Sequence, residues 1–433
     1  MEKEEKKIKH KFSRLLRILG PGLITGAADD DPSGIATYSQ TGAQFGYGQL
    51  WTALLMLPLL IAVQEACARI GAVTGKGIAA VVKANYGKKL LYFVVFLVVV
   101  ANTVNIGADI GAMASSANLI LPIPFPILAL SFTIFVLALE IFTSYKTYAK
   151  ILKWLALALL AYPITAIIVG INIPVVLKAT FIPHIELNSQ FFFILTGVLG
   201  TTISPYMFFW EASEEVEEEA VEGRLGNGNK PRISMAFLKG IRIDNAIGMI
   251  FSEIITWFII VTAASVLNSH GVTNISSASQ AAKALEPLVS SFPNSGFLAK
   301  TIFAVGVIGI GLMSVPVLAG SASYALSEAF NWKAGLNLKL KQAHGFYGVI
   351  TFATLIGLFI NFVGIDPIKA LIYSAVFNGI AAVPLIFIIA KISQSEKIMG
   401  EYKGGNLSKI FIWITFFSML ISALFIFINI FHH

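Results

Sequence analysis

The chain is short of charge, cysteine and histidine, and each shortage removes a class of protein. Of 433 residues only 13% are charged, where a soluble domain has about one quarter. A water-facing globule of this length is therefore excluded. The single cysteine, Cys67, excludes an intramolecular disulfide framework and any cysteine-rich metal cluster. The six histidines are scattered: His10 precedes the first apolar run, His184, His270 and His344 fall between runs, and His432 and His433 end the chain. No pair has metal-ligand spacing, and neither a Gly-x-Ser-x-Gly elbow nor a His-Glu zinc motif occurs. An enzyme is not expected, and no resident cofactor is called for. The first 17 residues are charged and polar and lack the short apolar core of a signal peptide.

What is abundant is hydrocarbon. Apolar residues make up 56% of the chain and the mean hydropathy is +0.78. A membrane-crossing helix needs about 20 apolar residues, and eleven such runs are found, at 18–45, 49–71, 90–119, 124–143, 151–173, 191–213, 243–267, 297–329, 346–363, 367–390 and 409–431. We number these spans one to eleven. With the N-terminal tail 1–17 placed in the cytoplasm, 27 of the 31 Lys and Arg fall on the inner side. The four outer ones are Lys178, Lys283, Lys300 and Lys369. Such a division follows the positive-inside rule, and one missed span would scramble it. The expectation is an all-α integral protein of the plasma membrane, cytoplasmic at its N-terminus. The basic residues follow topology rather than forming a patch, so the lipid bilayer and not a nucleic acid is the expected partner. The oligomeric state is left open, a monomer being compatible with the sequence.

Span one contains Asp29-Asp30-Asp31-Pro32-Ser33-Gly34-Ile35. A carboxylate in hydrocarbon costs roughly 2.5–3.5 kcal/mol on insertion scales. Pro32 lacks an N–H and Gly34 lets the backbone leave helical geometry, so the helix breaks here. Broken backbone is tolerated at membrane depth only where protein or a wet cavity surrounds it. Span six has a second interruption, Thr201-Thr202-Ile203-Ser204-Pro205-Tyr206. The two spans run in opposite directions five spans apart, which is the signature of an inverted-repeat transporter with its site where the breaks meet. Spans one to five (18–173) and six to ten (191–390) would form the repeats, with span eleven (409–431) added. The last carbonyls of each first half-helix, at Ala27 and Ala28 and at Thr201 and Thr202, lack helical partners and can face a cation. With Asp31 they make a hard, oxygen-rich site suited to Mg²⁺, Mn²⁺ or Ca²⁺.

Gly20-Pro21-Gly22, Asp31-Pro32-Ser33-Gly34-Ile35-Ala36-Thr37 and Gly42-Ala43-Gln44-Phe45-Gly46-Tyr47 resemble the first span of the natural resistance-associated macrophage protein (NRAMP) family of divalent metal transporters. Gly200-Thr201-Thr202-Ile203-Ser204-Pro205-Tyr206 occupies the place of that family's sixth-span motif. The resemblance implies a LeuT-type five-plus-five fold with spans one and six broken. It also implies metal coordination by Asp31 and by the carbonyls of Ala28 and Thr201. The departures are informative. The family core Asp-Pro-Gly-Asn has its Asn at Gly34, and the sixth-span Met-Pro-His has its Met at Ser204 and its His at Tyr206. Loss of a thioether weakens discrimination in favour of transition metals, and Mg²⁺ is often bound partly hydrated. The expected function is Mg²⁺ uptake, with Mn²⁺ accepted, as in an NRAMP-related magnesium branch. A tyrosine titrates near 10 and is a poor proton carrier at neutral pH, so transport without proton coupling is expected. A second family His falls near Glu211, which leaves a relay open. The alternatives are a proton-coupled Mn²⁺ or Fe²⁺ transporter and, in another class, a sodium-coupled organic-solute symporter.

Further candidates lie on the path. Asp109 in span three and Asn378 in span ten are polar groups inside spans and default to function or interhelical bonding. Asp29 and Asp30 cannot share a helical face with Asp31. Asp30 is expected to reach the ion through water and Asp29 to line the pathway. Glu65, Glu140, Asp244, Glu253 and Glu328 are expected near helix ends or paired with Lys or Arg, although Glu253 falls well inside span seven. Seven Glu between Glu211 and Glu222 form a solvated helix end or an exit vestibule.

Overall fold

The computed structural model describes residues 26, 29–143, 157–225 and 231–431. The tail 1–17, the start of span one with Ala27 and the Ala28 carbonyl, and the start of span five lie outside the described residues. Those that are described form helices and connections, with one isolated bridge between Leu225 and Pro231.

The expected spans are found in order. The second half of span one is Pro32–Phe45, span two Trp51–Thr74, span three Lys88–Asn118, span four Phe125–Phe142 and span five Ala161–Val169. Span six is two helices, Ser189–Thr202 and Pro205–Val221. Spans seven to eleven are Met235–Val266, Ser295–Phe330, His344–Ile360, Pro367–Ser393 and Asn406–Phe431. The connections add short helices at Ile78–Asn85, Ile173–Phe181 and Ala278–Ala282, which lack the length that hydropathy detects.

Both breaks are built alike. Asp31 is extended (φ −62°, ψ 171°), caps the following helix and is followed by Pro32 at its first position. Ser204 is extended (φ −81°, ψ 139°), sits at the same place and is followed by Pro205. A proline disfavours helical geometry in the residue before it yet suits the first helical turn, so Pro32 starts the described half of span one and Ser204-Pro205 separates the two helices of span six.

Small residues bring the broken spans against their neighbours. Span one lies on span seven, the first half of span six on span ten, and span three on span eight. A Cβ at Gly200 would stand 2.2 Å from both the Ala375 carbonyl oxygen and the Gly379 amide nitrogen. One at Gly42 would stand 2.3 Å from the Ile260 carbonyl oxygen. Such contacts replace the hydrophobic effect, which does not drive helices together in lipid.

The acids expected to be structural divide. Glu65 is paired with Arg69 and Arg242, each at 3.1 Å. Glu328 pairs with no Lys or Arg among the described residues and instead accepts from the Ala80 amide at 2.9 Å, in the first turn of Ile78–Asn85. Glu140 and Glu253 are buried, and neither has a hydrogen-bond donor among the described residues.

Candidate metal site

Asp31 lies where the two breaks meet. Its Oδ1 accepts from the Gly34 amide at 2.8 Å, from Ser33 Oγ at 2.6 Å and from Thr201 Oγ1 at 3.4 Å. The Ser33 and Thr201 hydroxyls are themselves 3.0 Å apart. Oδ2 accepts from Asn105 Nδ2 of span three at 2.8 Å. The carboxylate is fully buried, and its neighbours are two hydroxyls and two N–H groups that donate to it. A carboxylate offers about four lone-pair directions, and four donors occupy them here.

Thr201 and Ser204 are coupled. The Thr201 carbonyl sits in the last turn of its half-helix and has no backbone partner to the next turn. Ser204 Oγ fills the gap, contacting the Thr201 oxygen at 2.7 Å and the Gly200 oxygen at 2.8 Å. In this conformation Ser204 covers the carbonyl that the sequence nominates as a ligand. One rotation of the hydroxyl would bare both oxygens.

Gly34 faces the same point. A Cβ there would meet Thr201 Oγ1 at 3.4 Å and Asp31 Oδ1 at 3.7 Å, and the Tyr38 ring at 3.1 Å. A side chain at position 34 would therefore project toward the carboxylate. The room that glycine leaves is taken by Tyr38, whose hydroxyl bonds Thr202 Oγ1 at 2.7 Å.

The other candidates fall into separate groups. Asn378 donates to Asn105 Oδ1 at 3.1 Å and is thus one link removed from Asp31. Asp109, one turn beyond Asn105, accepts from Ser314 of span eight at 2.8 Å, and its other oxygen has no donor among the described residues. Tyr206 is buried, within electrostatic reach of Asp31 and Asp109, and its carbonyl accepts from Ser321 at 2.7 Å. Glu211 accepts from Asn245 of span seven at 3.0 Å. Asp29 and Asp30 turn to span seven, where Ser252 donates to Asp29 at 2.7 Å and Thr256 to Asp30 at 3.2 Å. Neither points at Thr201.

Sequence reasoning missed Asn105, Ser33, Tyr38, Ser252 and Thr256. Asn105 had a signal: it lies four residues before Asp109 in an apolar run, so the two share a helical face. The hydroxyl residues had none, because Ser and Thr in a span usually bond their own backbone.

A cavity of about 630 Å³ lies at the far end of span one, lined by Gln40, Gln44, Gln190, Phe193, Lys369 and Tyr373. Gln40 is nine residues past Asp31, about 13 Å along a helix, and Asp31, which is fully buried, does not line the cavity.

A family model described as Nramp, natural resistance-associated macrophage protein-like, matches residues 22–429. The divalent metal cation transporter MntH of Caldanaerobacter subterraneus subsp. tengcongensis is 25% identical over 426 residues, 97% of this chain and 94% of its own. MntH of Klebsiella pneumoniae subsp. pneumoniae is 26% identical over 395 residues, 89% and 87% respectively. The crystal structure of the Eremococcus coleocola manganese transporter, solved with an aromatic bis-isothiourea compound, superposes at TM-score 0.76 and 17% identity, over 97% of this chain and 87% of that one. MhsT in complex with L-phenylalanine superposes at TM-score 0.61 and 13% identity, over 94% and 97%. The fold is that of the LeuT-type transporters, as the paired breaks anticipate. Those curated relatives are transporters and not enzymes, which agrees with the lack of a catalytic motif.

Proposed function

The chain belongs to the Nramp family, and from that premise we propose that it is a membrane transporter of divalent metal cations with Mg²⁺ as principal substrate and Mn²⁺ accepted. Asp31 is the ligating carboxylate. The Thr201 and Ala28 carbonyls complete the inner contacts once Ser204 swings off the Thr201 oxygen, and an ion that keeps some water gains its room beside Gly34 when the Tyr38 ring moves aside. The observation that carries this reading is the donor set around Asp31. It consists of the carboxylate and the hydroxyls of Ser33 and Thr201, with Ser204 at the place of the family's methionine, while the Gly34 and Asn105 N–H groups hold the carboxylate rather than face an ion. Hard oxygen donors favour Mg²⁺ over softer transition metals.

Transport proceeds down the ion gradient by alternating access, the repeats 18–173 and 191–390 rocking about the breaks while span eleven stands outside them. Tyr206 at the family's histidine position supports the absence of proton coupling. A proton-coupled Mn²⁺ or Fe²⁺ carrier is the second reading, favoured by the buried Asp109 oxygen that lacks a donor among the described residues. The protein works in the plasma membrane with its N-terminus in the cytoplasm, as the Lys and Arg distribution supports. Uptake into liposomes with Mg²⁺, Mn²⁺ and Ca²⁺ in parallel tests the proposal. Mg²⁺ flux exceeding Ca²⁺ flux is expected, and Mn²⁺ flux without Mg²⁺ flux overturns it.

A further inference from the structure

Span ten has a cavity at each end. The larger lies at Lys369, and a second, of about 270 Å³, lies at Lys391. The walls of the second include Tyr86, Leu90 and Phe93 around the start of span three, Phe387 and Lys391 at the end of span ten, and Phe416 of span eleven. The Phe387 ring packs on Phe416 and Trp413, at 5.6 and 5.9 Å between centroids, so spans ten and eleven form one wall. Tyr86, Phe93 and Phe387 are 39%, 48% and 40% exposed, so this groove opens to the surroundings of the bundle. All three spans are long and apolar enough to cross a membrane, and the surroundings of such a face are lipid.

One end of the groove is cationic. Lys391 lies one turn past Phe387, and its Nζ stands 5.5 Å from the centroid of that ring, within reach of a cation–π contact. The contact holds the ammonium at the groove. Among the described residues Lys391 is in no ion pair, and no acid lines the groove. Lys89, next to Leu90, is exposed as well, and the Tyr86 hydroxyl is a further donor. Apolar walls with cationic donors at one end suit a molecule with an acyl chain and an anionic head. A soluble anion would use the lysine and leave the rings in water. With the N-terminus cytoplasmic, this end of span ten faces the inner leaflet, where basic pockets between helices bind anionic head groups.

We propose that the groove is a binding site for one anionic phospholipid of the inner leaflet. Its phosphate meets Lys391 and Tyr86, and an acyl chain lies along Leu90, Phe93, Phe387 and Phe416. The lipid joins the inner ends of spans three and ten. The same two spans meet again at Asn105 and Asn378, 3.1 Å apart, the pair through which they orient Asp31. A lipid seated between them resists their separation and so steadies the support of that carboxylate. Its binding does not depend on which cation the protein carries.

The test is native mass spectrometry of the purified full-length protein in detergent, with phosphatidylglycerol or phosphatidylcholine of identical chains added, and a melting curve in each mixture. The wild type should retain one phosphatidylglycerol per chain in preference to phosphatidylcholine, and its melting temperature should rise more with the former. Lys391→Arg should keep both effects. Lys391→Gln should weaken phosphatidylglycerol retention about 5-fold, the effect of one lysine near an anionic surface, while its melting temperature without lipid stays that of the wild type, as for an exposed substitution. Equal retention of the two lipids by the wild type overturns the proposal, whatever the variants do. Undiminished phosphatidylglycerol retention in Lys391→Gln overturns it too.

Discussion

Asn105 Nδ2 stands 2.8 Å from Asp31 Oδ2. The same asparagine accepts from Asn378 at 3.1 Å, so spans three and ten orient the carboxylate of span one through a single side chain. Asn105→Ala removes this support without touching the ion. A rise of about 10-fold or more in the KM for Mg²⁺ is expected, with Vmax less affected. An unchanged KM would leave Asn105 as packing alone.

Asp31→Ala removes the one carboxylate that the two breaks share. Metal uptake in liposomes should fall to the level of empty vesicles. Undiminished Mg²⁺ flux would sink the site assignment.

Ser204→Met restores a thioether at the mouth of the site and uncovers the Thr201 carbonyl, which Ser204 Oγ now contacts at 2.7 Å. Soft sulfur favours transition metals. The preference should shift toward Mn²⁺ or Cd²⁺ by about 10-fold, roughly 1.4 kcal/mol of selectivity. Competition uptake reads the ratio directly, and a constant Mg²⁺/Mn²⁺ ratio removes the softness argument.

Tyr206 replaces the histidine that the family resemblance associates with proton coupling. A pH dye inside the liposomes should stay flat during Mg²⁺ or Mn²⁺ entry. Acidification in step with metal flux would restore coupling, with Asp109 the first residue to replace.

Glu65 lies between Arg69 and Arg242, and Arg69 is 4% exposed. Glu65→Ala leaves a buried guanidinium without its carboxylate, a change that typically costs 3–5 kcal/mol. The melting temperature in detergent should drop by several degrees. If it does not, Arg69 is held by its remaining contacts to Tyr402 and Ser408.

The spans and the two interruptions were legible from the chain alone because they depend on local properties. Twenty apolar residues span a bilayer whatever surrounds them, and Xaa-Pro ends a helix wherever it falls. Span one illustrates both, with its break at Asp31-Pro32 and its acids unmistakable in hydrocarbon. What remained undetermined was direction. Asp29, Asp30 and Asp31 are consecutive, yet two are held by Ser252 and Thr256 and one by Ser33, Thr201 and Asn105. Only packing decides this, since the partners come from spans distant in sequence, and a residue's face has no meaning until a neighbour covers it. Likewise Gly34 announced a missing side chain, but the Tyr38 ring now beside it is a tertiary fact. Local chemistry determined that this chain breaks two membrane helices beside an acid. The packing of spans three, seven and ten determined which partner each carboxylate meets, because hydrogen bonds of 3 Å require atoms that the backbone alone does not bring together.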